Sequence, residues 1–426
     1  MCFGHIQKMN INSFLLTTYY IFSGLAILKH ILYLLLSPFY NLNCRKYKIS
    51  AAKISQKDIE KSLKISVIVP AWNEEVGIIT SIKSLFANSY RRLEIIVIND
   101  GSTDATDKII RNFKKSLKVL PKGKSFKYIN KRKNAGKGSA LNTGIKNSTG
   151  DLIITMDADT RFEKDAILNV ARYFIDSDID AAVGNVKIAN SKNFLGLIQQ
   201  IEYTYSFYFK RLNSILNCEY IIGGAFGIFR KEVFKKCGYF DEEIKTEDIE
   251  FSFRLKDMGI KTIFIEEAIA FTEGPSSIKE LFKQRSRWKK GKLDTFYKYS
   301  NLFFSNDKKH NKVLSWFILP TSLLGDVELL LFPILTPLIF YHTFDDGILL
   351  YLLGWIFFIT SNIMISYLFG SKLNSWKSFL LIPIFYIVAY LLILAETYAL
   401  ISSIHLYLNN SDITWQKWNR KGVENV

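Results

Sequence analysis

The sequence contains few cysteines for its length, with four among 426 residues. Cys2, Cys44, Cys218 and Cys237 lie too far apart for a zinc knuckle or a C-x-x-C pair, and their spacing indicates reduced, structural thiols. A small disulfide scaffold is therefore excluded, and no metal is expected at the cysteines. Internal repeats and low-complexity tracts are also absent. The chain is therefore expected to bury an ordinary core, in two or three domains of roughly 100–200 residues each.

Acidic residues are scarce relative to basic ones, at 39 against 56, which gives a formal net charge of +17. The aromatic fraction of 15% excludes a largely disordered chain. The excess charge suits nucleic acid, an anionic membrane surface or a phosphorylated substrate. It is concentrated in three blocks, with seven bases in 44–64, thirteen in 108–146 and seven in 279–292. The first and last blocks border apolar segments and predict contacts with lipid headgroups.

Four apolar segments are long enough to cross a bilayer, which takes about 20 helical residues. The first, 13–36, lacks a small-residue cleavage site and so predicts an anchor rather than a signal peptide. The others, at 314–341, 347–369 and 378–405, predict a C-terminal bundle of about three helices, followed by a tail at 406–426.

Acidic residues interrupt two of these segments, namely Asp326, Glu328 and Glu396. Carboxylates are costly in hydrocarbon unless they face a polar cavity or other protein. One interpretation is that they line a polar passage. The other places Asp326 and Glu328 at an interface, in a helix broken near Pro320 and restarting before Pro333.

The bases that follow the first segment place the large middle region on the cytoplasmic side of a cell membrane. The sequence gives conflicting indications of the side of the membrane on which the tail lies. Counting the spans places it outside, whereas bases at 417, 420 and 421 favour the inside. A re-entrant or interfacial segment would remove the conflict.

The region 62–275 alternates short branched apolar runs with amphipathic stretches, as a parallel sheet covered by helices does. The predicted sheet is doubly wound, and its ligands bind at the carboxyl ends of the strands. The predicted strands are 65–70, 93–100, 126–130 and 151–157, and the predicted helices are 75–87, 103–113 and 138–146.

Polar residues stand at three of these strand ends. Pro70 and Glu74 follow the first strand, and Asp100 ends the second. The fourth strand ends in Asp157-Ala158-Asp159, a spacing at which carboxylates can share a divalent cation with a diphosphate. Taken singly, D-x-D is common on surfaces, and Asp100 before a glycine could be only a turn.

Two further clusters precede predicted helices. Lys137 lies in a glycine-rich turn, where backbone amides and a helix N-terminus favour an anion. The spacing of a P-loop is missing, which excludes a P-loop ATPase. Glu247 and Asp248 follow Thr246 ahead of the helix 249–255, where an N-cap is the structural alternative.

Three other segments each allow two interpretations. Gln284–Trp288 lies in the basic segment 279–292, which could also be an amphipathic helix at the membrane surface. The aromatic stripe of 193–211 favours core packing over an acceptor-binding wall. The stretch 222–225 (IGGA) indicates either a close approach to substrate or a tight bend.

The ordered set of these motifs resembles the membrane-bound family 2 glycosyltransferases with the GT-A fold. It is most similar to processive β-glycan synthases: first poly-N-acetylglucosamine synthases, then chitin, hyaluronan and cellulose synthases. The resemblance covers roughly residues 60–300 and the layout of apolar segments. Two positions depart from the usual pattern, since Asn99 stands where many members carry a second acid and Glu247 where many carry another aspartate.

The resemblance implies roles for the matching residues. Pro70, Glu74, Asp100, Lys137 and Asp157 would bind the nucleotide-sugar, and Asp159 would hold Mg²⁺ or Mn²⁺. Asp248, beside Glu247, would be the general base. Gln284, Arg287 and Trp288 would contact the diphosphate and the acceptor.

The expected reaction is therefore an inverting transfer of a sugar, best guessed as N-acetylglucosamine, from a UDP-sugar to a growing β-linked glycan. Processive addition and coupling to export through the chain's own spans are part of this expectation. The expected partners are the donor, the glycan acceptor, membrane lipids and an accessory membrane subunit. A single-addition transferase acting on a lipid acceptor and a non-catalytic nucleotide-sugar-binding subunit are the alternatives. No nucleic-acid-binding module occurs in the sequence, so nucleic acid is not an expected partner.

Overall fold

A computed structural model describes residues 17, 21, 24–190, 193–342, 346–370, 376–409, 411 and 422. Eight strands among these residues form one sheet, in the order β3-β2-β1-β4-β7-β6-β8-β5. The strands are β1 (Ile65–Ala71), β2 (Leu93–Asp100), β3 (Lys124–Lys131), β4 (Leu152–Thr155), β5 (Thr160–Phe162), β6 (Ala181–Ile188), β7 (Gly227–Arg230) and β8 (Thr262–Thr272).

The first half of the sheet is the parallel, doubly wound part that the sequence predicts. β1 lies between β2 and β4 and runs parallel to both, and β3 continues the parallel order beyond β2. Every residue of β1 and β2 is buried, which explains their predominantly apolar sequences. The α/β fold class is confirmed.

The second half of the sheet is mixed. β7 pairs antiparallel with both β4 and β6, β6 runs parallel to β8, and β5 closes the edge antiparallel to β8. β4 and β7 therefore lie at the centre, where the parallel and antiparallel parts meet. The loops at the strand ends of both halves, including those that carry Asp157 and Gly224, line one cavity.

The helices that cover the sheet match the predicted segments with small shifts at their ends. The predicted helix 75–87 begins only at Ile78, and 103–113 is displaced to Thr106–Ser116. The helices are α1 (24–36), α2 (Tyr40–Ala52), α3 (Gln56–Ser62), α4 (Ile78–Ala87), α5 (Thr106–Ser116), α6 (Lys137–Lys146), α7 (Ala166–Phe174), α8 (Phe194–Ile215), α9 (Lys231–Cys237), α10 (Glu247–Asp257) and α11 (Ile278–Lys298).

The helices after α11 are α12 (Leu319–His342), α13 (Asp346–Phe369), α14 (Trp376–Leu380) and α15 (Ile382–Leu408). A π-helical turn, Leu314–Ile318, leads into α12. The break expected near Pro320 and Pro333 is wrong, because α12 runs without interruption through both prolines. Pro320 closely follows the π-helical turn, where the α-helical hydrogen-bond pattern is already altered.

Two helical stretches of the described residues are long and apolar enough to cross a membrane, Gly24–Tyr47 and Leu314–Leu331. The predicted first span, 13–36, lies partly outside the described residues, and the apolar helix continues past it to Tyr47. Shorter apolar stretches, Ile356–Phe369 and Leu392–Leu408, fall within the other two predicted spans.

Helix α8 joins the sheet to the C-terminal helices. Ile198 and Ile201 on α8 are buried in a cluster with Ile363, Ile382 and Phe385. Part of the aromatic and aliphatic stripe of 193–211 is therefore core, as favoured. The same helix also contacts β6 and β8, so it connects both parts of the molecule.

Candidate active site

One cavity of about 960 Å³ opens at the strand ends and reaches the C-terminal helices. All the site residues predicted from the sequence line it. They are Pro70, Glu74, Asp100, Lys137, Asp157, Asp159, Glu247, Asp248, Gln284, Arg287 and Trp288. Residues more than 200 positions apart thus meet at one place.

Asp100 organises one end of this cavity. Its carboxylate is buried and pairs with Lys131, while its Oδ2 accepts hydrogen bonds from the backbone amides of Ala135 (3.1 Å) and Gly136 (2.8 Å). Asp100 therefore anchors the turn that leads directly into α6 and Lys137. Its carboxylate already has protein partners on both sides.

Lys137 lies at the centre of the acidic strand ends. Its ammonium is 2.7 Å from Asp157 Oδ1 and 3.2 Å from Glu247 Oε1. Burial disfavours the charged form, but the carboxylates of Asp157, Glu247 and Asp248 outweigh it and raise the pKa of Lys137. For Glu247, burial is the larger effect and raises the pKa of its carboxyl group, although the nearby ammonium of Lys137 lowers it. The lysine thus links the strand-end carboxylates to the first turn of α10.

Asp248 is held by backbone amides. Its Oδ2 accepts a hydrogen bond from Gly224 (2.8 Å), and its Oδ1 accepts one from Ile249 (2.9 Å). A Cβ on Gly224 would lie 2.5 Å from Lys137 Nζ. Gly224 therefore approaches Lys137 closely, and the approach to substrate suggested for 222–225 stays a prediction.

Thr246 does not act as the side-chain cap that the structural alternative supposed. Its Oγ1 is buried and has no hydrogen-bond partner among the described residues. Instead Thr246 packs against Gly291 of α11, where a Cβ would lie 1.9 Å from Thr246 Oγ1. This contact brings α11 against the start of α10.

Helix α11 carries Gln284, Arg287 and Trp288 into the cavity. Its start is defined by a capping box, in which Ser277 and Glu280 bind each other's backbone amides. Gln284 Oε1 is buried without a hydrogen-bond partner in the described part of the chain. Because an unsatisfied buried oxygen is costly, this amide favours a polar ligand in the cavity.

Asp157 and Asp159 differ in their surroundings. Asp157 pairs with Lys137, whereas Asp159 Oδ1 accepts hydrogen bonds from Thr160 and Thr272 at 3.3 and 3.2 Å. In the ranges that the structure describes, no cluster of three or more His, Cys, Asp or Glu side chains could enclose a metal. Mg²⁺ commonly binds through one or two carboxylates plus substrate phosphates. The two aspartates fit that mode and not an all-protein cage.

Several cavity residues were not identified from the sequence. Tyr203 and Phe207 of α8 line the wall with their rings 6.1 Å apart and inclined by 25°. Burial raises the pKa of Tyr203 to about 12. Tyr203 and Phe207 lie between the positions of the core stripe of α8, so the periodicity of the stripe did not identify them. Glu202, Lys289, Lys292 and Glu396 also line the cavity.

The tail reaches this region as well. The backbone amide of Gly422 donates a hydrogen bond to Glu273 Oε2 at 3.1 Å, and Gly422 also packs beside Val76. Glu273 lines the cavity. The described part of the tail therefore contacts the sheet domain.

Comparison with known proteins places these features in context. Residues 66–238 match the family model of glycosyl transferase family 2. The poly-beta-1,6-N-acetyl-D-glucosamine synthase of Staphylococcus epidermidis is 34% identical over 229 residues, which are 53% of this chain and 54% of the relative. Its counterpart in Staphylococcus aureus strain COL is 30% identical over 262 residues, which are 61% of this chain and 62% of the relative. The match thus spans little more than half of these relatives' lengths.

Among solved structures, a mannosyltransferase from Pyrobaculum calidifontis, in complex with GDP-Man and Mn²⁺, has a similar fold. Its TM-score is 0.53 at 16% sequence identity, and the match covers 88% of this chain and all of that one. At this identity the likeness shows a shared fold.

Proposed function

Since the chain carries a glycosyl transferase family 2 domain over residues 66–238, we propose that it is a membrane enzyme transferring N-acetylglucosamine from UDP-N-acetylglucosamine to a growing β-linked glycan. The observation that carries this proposal is the single cavity into which all the predicted donor, base and acceptor residues project. The similarity to poly-beta-1,6-N-acetyl-D-glucosamine synthases supports the choice of sugar.

In the proposed reaction, Asp248 takes the proton from an acceptor hydroxyl, whose oxygen forms the new bond to the anomeric carbon. The bond from that carbon to the diphosphate breaks, and UDP leaves with the electron pair. With one base and no covalent nucleophile, a single displacement inverts the configuration. Two backbone amides hold the carboxylate of Asp248 in place, so it needs no reorganisation before accepting the proton.

Charge on the leaving diphosphate would be met by Arg287 and Lys137. Lys137 already bridges Asp157 and Glu247, and it lies within reach of the donor side of the cavity. A divalent cation, Mg²⁺ or Mn²⁺, bound by Asp159 together with donor phosphates, would supply further positive charge there. Gln284 and Trp288 would bind the acceptor sugar, the first through its unsatisfied amide oxygen and the second by stacking.

We further propose a division into an anchor, a cytoplasmic catalytic domain at 62–300 and a C-terminal membrane bundle. The two apolar helical stretches support membrane association. The contact of Gly422 with Glu273 supports a tail on the same side as the catalytic domain. Lipids and an accessory membrane subunit are the remaining proposed partners, and export of the glycan through the bundle is part of the same proposal.

The test is incubation of the purified full-length protein with a panel of UDP-sugars and Mg²⁺, followed by mass spectrometry of the products. We expect a β-linked polymer from UDP-N-acetylglucosamine. Products carrying one added sugar would favour the single-addition transferase instead. Absence of transfer from every donor would contradict the proposal and favour a non-catalytic subunit.

Asp248→Asn keeps the shape of the side chain but removes its basicity. We expect transfer to fall by about 100- to 10,000-fold, the usual contribution of general base catalysis. The matched control is Asp178→Asn, because Asp178 is exposed and pairs only with Lys261 at the surface among the contacts described. An Asp248→Asn variant as active as this control would exclude Asp248 as the base.

A further inference from the structure

Acidic and basic side chains of α8, α11, α12 and α15 at the cavity form one chain of ion pairs. Arg285 of α11 pairs with Glu202 of α8 at 2.7 Å and with Glu396 of α15 at 3.2 Å. Glu396 also pairs with Lys289 at 3.2 Å. Lys289 and Lys292 both pair with Asp326 of α12, at 3.1 and 2.6 Å. Three cations of α11 thus meet three carboxylates from three different helices.

This chain of ion pairs answers a question left open by the sequence. Asp326 is buried at the interface between α12 and α11, so the interface interpretation holds for it. Glu396 lies at the same interface and also lines the cavity. Buried charges are tolerated when each is paired, which explains acidic residues in apolar helices.

Arg285 links these ion pairs to Trp288. Its guanidinium carbon lies 4.7 Å from the ring centroid of Trp288, within the range of a cation–π contact. The same guanidinium is only 8% exposed and is held by Glu202 on one side and Glu396 on the other. Since a guanidinium is planar, fixing it through two carboxylates also fixes the surface on which the indole rests.

We propose that Glu396 and Glu202 are positioning residues that hold Arg285 against Trp288, so that the C-terminal helix α15 sets the orientation of the indole in the acceptor site. This inference rests on the proposed function, because it assigns Trp288 to acceptor binding. Neither carboxylate needs to touch the reacting atoms. Each acts through Arg285.

The backbone and ring contacts between α11 and α15 support a fixed arrangement. Ser403 Oγ donates a hydrogen bond to the carbonyl oxygen of Ser286 at 3.2 Å, and Phe282 packs edge-on against Tyr398 at 5.5 Å. The two helices are therefore joined on both sides of Arg285. A shift of α15 would be transmitted to the residues between these contacts.

The test compares Glu396→Gln and Glu202→Gln with wild type in the full-length protein. We expect the KM for a short glycan acceptor to rise by roughly two- to fivefold, and the mean product length at equal sugar turnover to fall by the same factor. This is the factor expected for the loss of one cation–π contact. The KM for the UDP-sugar should change by less than about twofold, because Asp100, Lys137 and Asp157 on the donor side make their ion pairs without Glu202, Glu396 or Arg285. Arg285→Lys should shift the acceptor values in the same direction, since lysine keeps the charge but lacks the planar group.

Glu266→Gln is the matched control, because Glu266 pairs with buried Arg211 between β8 and α8, away from α11. It should lower thermal stability without changing the acceptor KM or the product length. Unchanged acceptor values in both Glu396→Gln and Glu202→Gln would overturn the proposal, as would an equal shift in Glu266→Gln. Failure of the proposed function would differ, since wild type itself would then form no glycan.

Discussion

Individual residues in this protein are constrained by the charges that surround them. The carboxylates identified from the sequence do not stand alone, because Lys131, Lys137 and Arg285 each bind acids at or near the cavity. The basic block 279–292 is a case in which this changes the interpretation. It predicted contacts with lipid headgroups, yet Arg285, Lys289 and Lys292 pair with protein carboxylates.

Lys256 provides a prediction at the residue scale. It is buried on α10, and burial lowers its pKa from 10.5 to about 8. Above pH 8 the folded state has lost this proton while the unfolded state keeps it to about 10.5, so stability rises with pH across that window. Below pH 8 both states are protonated and the cost of burying the charge is constant.

We therefore expect Lys256→Met to be more stable than wild type near pH 7, with an advantage that shrinks by up to about 3 kcal/mol as the pH approaches 10. Thermal melting of the detergent-solubilised proteins between pH 7 and 10 measures this difference. A difference that stays constant with pH would show that the ammonium is not destabilised by burial.

At the scale of elements, the site depends on how closely helices approach one another. α10 supplies Glu247 and Asp248, and α11 supplies Gln284, Arg287 and Trp288. The contact of Gly291 with Thr246 sets the distance between these helices. The acidic motif and the basic motif are nearly 40 positions apart in sequence, so this distance is a tertiary property.

Gly291→Ala tests that contact. Its Cβ would meet three atoms of Thr246 at 1.9–2.6 Å, so α11 must move even though alanine favours a helix more than glycine does. A displacement of about 1 Å between catalytic groups costs roughly 100-fold in rate, and we expect a loss of that size in sugar transfer with the helix content retained. Circular dichroism and the transfer assay together measure the two effects.

Gly354→Ala is the control for this substitution. Gly354 lies in α13, and a Cβ there would meet no atom within 4 Å. Its activity should match wild type. Equal activities in the Gly291→Ala and Gly354→Ala variants would mean that α11 can move away from α10 without consequence.

For the molecule as a whole, the sheet domain and the C-terminal helices form a connected structure through α8 and α11. The described part of the tail returns to the sheet domain at Glu273. This contact bears on the conflict between span counting and basic residues in the tail. It favours the side indicated by Lys417, Arg420 and Lys421, because a hydrogen bond to the sheet domain requires both partners on one side of a membrane.

Asn425→Cys tests this placement by labelling with a membrane-impermeant maleimide. We expect labelling in inverted membrane vesicles and not in intact cells. Cys44, Cys218 and Cys237 are free and buried, so they should contribute little background, and Cys2 is replaced by serine. Lys122→Cys, at an exposed position of the sheet domain, is the reference. Labelling of the two variants from opposite sides would place the tail across the membrane.

Local sequence determined much of this protein. The runs at 65–70 and 93–100 are strands because their mostly branched apolar residues suit burial on both faces of a parallel sheet. The rule that ligands bind at the carboxyl ends of such strands then led to Asp100, Asp157 and Asp159, all of which line the cavity. These features depend on neighbours close in sequence, whose periodicity can be read directly.

Only the tertiary structure decided which distant residues share a surface. Lys137 lies against Glu247, Gly224 leaves room for that lysine, and Glu396 reaches Arg285. Helical periodicity likewise separated the core stripe of α8 from its polar positions but did not show that Tyr203 and Phe207 line the cavity. The physical reason is that ion pairs and cavity walls depend on how helices and strands pack in three dimensions. The spacing of residues within one helix or strand does not determine that packing.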